Sequence, residues 1–144
     1  MHGFELFPAM GASASGLDAE RTRMEVAAGN LANSHSTRAA NGRPFQRRQV
    51  VFAAVLDENL RRDAAPLGVR VAGIVPDRRP PVQVHNPSHP DADRDGMVRM
   101  PCISPIEEMM DMITASRAYE ANLSALRQSR DMARETISMG RSNG

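Results

Sequence analysis

The chain has 144 residues and a formal net charge of +1, and its 18 basic residues are all arginine. So small an excess argues against a nucleic-acid partner, which requires a basic face to neutralise phosphates. Aromatics make up 3% of the residues and tryptophan is absent, so the chain is better suited to amphipathic helices than to a large core of its own.

The single cysteine, Cys102, excludes an internal disulfide. The first ten residues lack the basic start and apolar run of a cleavable leader, and no run of about 18 apolar residues is present to span a membrane. The expectation is a cytoplasmic chain unless a dedicated apparatus exports it.

Residues 1–8 form a short apolar lead-in with Phe4, Leu6 and Phe7. From about Pro8 to Asn33 the apolar residues Met10, Ala14, Leu17, Met24, Ala28 and Leu31 follow alternating four- and three-residue steps, with Arg21 in the remaining seam position. Ser15 and Asp18 have the spacing of a capping box, which would start the regular helix later than Pro8, and Asn33–Ser34 is a stop. Residues 34–44 are polar and turn-rich, with Asn41–Gly42 as the turn signal.

Phe45 to Leu56 is β-branched and aromatic enough for a strand, and residues 57–66 are charged and loop-like. The alternation at Val69–Val71, Val82–Val84 and Val98–Met100 predicts short half-buried strands, kept short by Pro76, Pro80, Pro81, Pro87, Pro90 and Pro101.

A second helix is marked at both ends. Ser104 is placed as N-cap, Pro105 as the first helical residue and Glu107 as the third, while Gly140 is the expected stop. Ile106, Met109, Met110 and Ile113 lie on one stripe. Met112, Tyr119, Leu123, Leu126, Ala133 and Ile137 continue it after a one-residue shift, so the seam has a stutter. About 35 residues at ~1.5 Å rise give roughly 50 Å, longer than a compact chain of this size is wide. The fold class is therefore α+β, with long coiled-coil-like helices at both ends flanking a small β-rich insert. The divisions are residues 1–40, 41–103 and 104–144. The two helices pair with each other and leave apolar surface for other subunits.

Little chemistry is encoded. Asp91, Asp93, Asp95 and Gly96 match the first half of a calcium loop, but the closing position is Cys102 and the flanks are not helical. A soluble calcium- or partner-binding module using Asp91–Gly96 is thus the alternative to a tight acidic turn in which Asp side chains bond nearby backbone. His85, His89 and Asp91 lack a fourth zinc ligand, and nothing orients a base toward Cys102. No catalytic, cofactor or metal residues are assigned, and no small-molecule substrate is expected.

The run from Ser15 to Asn33, with its Asn30-x-x-Asn33-x-x-x-Thr37 core, resembles the N-terminal signature of flagellar rod and hook proteins. His89–Val98, beginning His89–Pro90–Asp91–Ala92, then Met100–Pro101 and Glu107–Asn122 with Arg117, Glu120 and Asn122, are similar to the proximal-rod branch, the flagellar basal-body rod protein of the FlgC type. Cys102 departs from that pattern, where asparagine is expected.

The resemblance implies a non-enzymatic structural subunit, without cofactor. It implies export by the flagellar type III apparatus without a cleaved signal, and polymerisation in the periplasm with itself and other rod proteins into a torque-carrying helical tube. Leu17, Met24, Leu31, Ile106, Ile113, Tyr119, Leu123 and Leu126 are the expected assembly residues. Asn30 and Asn33 are expected to shape the end of the first helix.

Overall fold

The computed structural model describes residues 6–55 and 68–142. Helix α1 runs Leu6–Ala32, strands β1 Arg48–Val55, β2 Gly68–Pro76, β3 Val82–His85 and β4 Met97–Met100 follow, and helix α2 runs Pro105–Ser142. The architecture is α+β, with two long helices flanking a small β region. The expected charged loop at 57–66 lies outside the described residues. Two compact units are present: Met1–Thr22 with Phe52–Ala72 and Ala115–Gly144, and Arg23–Val51 with Gly73–Thr114.

Helix α1 starts at Leu6, before the expected Pro8. Proline costs little within a first helical turn, where its missing N–H would have had no partner. Ser15 is not a cap. Its hydroxyl donates to the Ala12 carbonyl at 2.8 Å and accepts the Val69 N–H at 3.1 Å, so it ties mid-helix to β2. The expected stop is in place: Asn33 Nδ2 donates to the Gly29 carbonyl at 2.8 Å, and its Oδ1 accepts the Ser36 hydroxyl at 3.1 Å.

The caps of α2 divide similarly. Pro105 is its first residue, the Ser104 Oγ accepts the Glu107 N–H at 3.4 Å, and the Ser104 carbonyl accepts the Glu108 N–H at 3.1 Å. Gly140 does not end the helix, which continues to Ser142. An interior glycine costs only about 1 kcal/mol relative to alanine, and no proline follows to force the stop.

The strands form two ribbons, β1 with β2 and β3 with β4. In the second, antiparallel ribbon, Val82 faces Met100, Gln83 faces Arg99, Val84 faces Val98 and His85 faces Met97. Only Val98 is buried, and β3 is exposed at all four residues rather than half-buried. Strand β1 begins at Arg48, later than expected. Phe45 is held in the preceding turn by its N–H to the Ser36 carbonyl at 2.9 Å. Strand β2 extends to Pro76, and the Asp77 N–H to the Arg47 carbonyl, at 2.7 Å, closes its ribbon.

The buried stripe of α2 has no stutter. Glu108, Ala115 and Ser129 are buried, with Asn122 half-buried between the last two, at strict seven-residue spacing. On α1 the buried residues are Gly16, Ala19, Ala27 and Asn30. The large side chains that suggested a shifted seam, Ile106, Met109, Met110 and Ile113, are 67%, 46%, 63% and 56% exposed. Small residues at a helix contact bring the two backbones closer together. In the first unit, a Cβ at Gly16 would lie 2.8 Å from Nδ2 of Asn122. Gly16→Val is therefore expected to destabilise the chain by about 1–3 kcal/mol through overpacking. An Asn122→Ala background should return at least half of that loss, as read by urea denaturation followed by circular dichroism.

Candidate assembly site

The end of α1 carries Asn30, 1% exposed. Its Oδ1 accepts the Arg48 N–H at 2.9 Å and its Nδ2 donates to the Arg48 carbonyl at 2.8 Å, so a helix side chain pairs with a strand residue as a second strand would. The same Nδ2 lies 2.9 Å from Oε2 of Glu108, which is 0% exposed. The other oxygen of Glu108 accepts Arg47 Nε at 2.5 Å. A buried carboxylate costs several kcal/mol of desolvation unless paired and hydrogen-bonded, and here both oxygens are engaged. Arg23 and Asp111 make a further ion pair. Arg23 meeting Asp111 and Asn30 meeting Glu108 make α1 and α2 run in opposite directions within the second unit.

The clasp continues to the strand end. Arg47 lies 3.7 Å from Asp77, and Asp77 also accepts Arg79 Nε at 2.8 Å and the Arg79 N–H at 3.0 Å. The Arg79 N–H, and then the Arg79 guanidinium, hold the Asp77 carboxyl below the usual aspartate range.

Thr37, the third residue of the sequence core, donates its hydroxyl to Asp91 Oδ2 at 2.7 Å, and Arg38 pairs with Asp91 Oδ1. His89 Nδ1 accepts the Asp91 N–H at 3.0 Å. The run to Gly96 is a tight turn, not a metal loop. Asp93 Oδ1 accepts the N–H groups of Asp95 and Met97, both at 2.9 Å, and Gly96 has φ 74°, a conformation that favours glycine. With Asp91 and Asp93 so engaged, the calcium reading has no support. No group of three potential metal ligands exists among the described residues.

The motif residues thus divide. Asn30, Asn33, Thr37 and His89 are structural contacts within the second unit, and Asn122 packs against Gly16 in the first. Pro90, Arg117 and Glu120 face solvent. Of the expected assembly residues, Leu17, Met24, Leu31, Tyr119, Leu123 and Leu126 are half-buried, whereas Ile106 and Ile113 are open. Met109 and Met110 share their open face, and Met132, Ile137 and Met139 are exposed further along α2. Glu108 and Arg47 were missed. The signal available was an acidic residue at a heptad position shared with Ala115, Asn122 and Ser129.

The comparisons with known proteins identify the family. The family model for the C-terminal part of flagellar basal body rod FlgEFG proteins matches residues 94–139. The chain is 43% identical to the flagellar basal-body rod protein FlgC of Aquifex aeolicus, over 92% of this chain and 96% of the relative. It belongs to the FlgC family of flagellar basal-body rod proteins. It is also 34% identical to FlgC of Borreliella burgdorferi, over 93% of this chain and 97% of that one, and 34% identical to FlgC of Bacillus subtilis, over 94% and 98%. This FlgC-family chain is a structural subunit of the basal-body rod. Among its described residues no helix is long and apolar enough to cross a membrane.

Two outcomes test this geometry. Asn30→Ala leaves Glu108 and the Arg48 backbone short of partners and is expected to cost about 2–4 kcal/mol in urea denaturation. Asp91 is held below its ordinary value chiefly by the Thr37 hydroxyl, with Arg38 adding to it. A depressed carboxylate stabilises the fold above its unfolded-state pKa of about 3.9, and the contribution is lost as pH falls through the lower folded value. The stability gap between the parent chain and Asp91→Asn should therefore be widest at neutral pH and narrow as pH falls below the unfolded-state value, as measured by denaturation across pH.

Proposed function

We propose that the chain polymerises with itself and with other rod proteins into the helical tube of the proximal rod, carrying torque outward from the motor, and that its role is non-catalytic. Residues 1–40 and 104–144 supply the packing helices and residues 41–103 a β-rich module set outside them. The flagellar export apparatus delivers the chain to the periplasm without removing a leader.

The observation that carries this reading is the open apolar face of α2. Ile106, Met110 and Ile113 each leave more than half of their surface exposed, on a helix whose buried side there is closed by Glu108 with Asn30 and Arg47. Covering side chains that open contributes about 1 kcal/mol or more each, from which the costs of association are subtracted. The half-buried Leu17, Met24, Leu31, Tyr119, Leu123 and Leu126 are further assembly residues in this reading, each taken within its own unit.

An exposed position separates assembly from folding. Ile113→Asp should leave denaturation and secretion as in the parent chain, while basal bodies seen by electron microscopy lack rod and hook and the cells do not swim. Normal motility in that strain is the outcome against the reading.

A further inference from the structure

A cleft of about 330 Å³ opens in the second unit beside the Asp77 end of the clasp, lined among others by Arg43, Arg47, Arg79, Arg99, Asp77 and Cys102. Four guanidinium groups line it beside one carboxylate, Asp77. That carboxylate is already taken, because Asp77 accepts from Arg79 at 2.8 Å and lies 3.7 Å from Arg47, whose Nε is bound to Glu108. Arg43 and Arg99 have no ion-pair partner among the described residues.

The same two arginines also line an adjoining cleft of about 290 Å³ with Asp91 and Asp93. The carboxylates there are committed as well, Asp91 to Thr37 and Arg38, and Asp93 Oδ1 to the backbone of Asp95 and Met97. Across the two clefts five arginines line the walls with three carboxylates, and such an excess of guanidinium focuses a positive potential and favours planar, bidentate oxyanions.

We propose that this cleft is a docking site for the carboxylates of an acidic segment on an adjoining chain of the rod. The proposal rests on the assembly reading above. It assigns Arg43 and Arg99 as the residues that receive the partner's charge, with Arg47 and Arg79 fixed by the clasp as the cleft's back wall. The complement is electrostatic, so it sets register and encounter rate while the apolar face of α2 supplies most of the buried area.

Cys102 is a built-in reporter, half-buried in the lining. Alkylation by iodoacetate, which is anionic, is compared with alkylation by iodoacetamide, its neutral analogue. Electrostatic steering predicts that the ratio of the two rates falls about ten-fold or more in an Arg43→Gln/Arg99→Gln variant, and falls likewise in the parent chain as salt is raised. A triglutamate peptide should slow iodoacetate in the parent chain more than triglutamine does.

An unchanged ratio in the variant overturns the proposal. So does equal slowing by inorganic phosphate at matched ionic strength, which makes the cleft a small-ion site. Both arginines are exposed, so the variant should fold. Cells carrying it should form rods poorly and swim slowly. Normal rods in that strain sink the docking proposal alone, whereas a deletion strain that still builds rods sinks the assembly reading itself.

Discussion

One fully buried carboxylate organises the second unit. Glu108 sits in the first turn of α2 with 0% exposure, and it is acceptable there only because Asn30 and Arg47 reach it from α1 and from the start of β1. Each partner is fixed in turn: Asn30 by both backbone groups of Arg48, Arg47 by Asp77 at the end of β2. A charge that is costly to bury thus specifies which helix end meets which strand end. Removing one partner leaves the rest stranded, which gives such a network more influence over geometry than over net stability.

The helices depend on a different economy. Their buried positions are Gly16, Ala19, Ala27, Asn30, Glu108, Ala115 and Ser129, none of them a large apolar side chain, while Ile106, Met109, Met110, Ile113, Met132, Ile137 and Met139 of α2 face out. For a monomer this arrangement is inverted. For a subunit whose outer face becomes an interior on assembly it is consistent, since the bulky residues are held for contacts that form last. The ribbons follow the same rule: Val51, Phe52, Ile74, Val75, Val82 and Val84 are all open.

Much of this was legible in the sequence. The α+β order, the Ser104–Pro105 start of α2, the Asn33 stop, the Asn41–Gly42 turn and the short strands follow from local signals that act over four or five residues. Errors arose where a long-range partner overrode the local pattern. Ser15 read as a cap because the N–H it accepts, that of Val69, is 54 residues away. The stutter in α2 came from following large apolar side chains, when the inward positions are Glu108, Ala115, Asn122 and Ser129. Asn30 was singled out by its motif, but its role required knowing that Glu108 and Arg48 converge on it. The three Asp residues that suggested calcium lie in a turn, and what decided against the metal was the set of N–H, hydroxyl and guanidinium donors already around Asp91 and Asp93.

The exposed β3 strand carries one more implication. A two-stranded ribbon leaves the outer row of N–H and C=O groups on each strand unpaired, and β3 adds two open valines to that row. Such an edge invites other strands during the interval when a chain is made but not yet placed. Pro80 and Pro81 stand immediately before it and Pro87 just after. Lacking an N–H and fixed in φ, they keep the tempting stretch to four residues, too short to template a fibre. Proline placement here limits the length of strand edge open to a neighbouring chain.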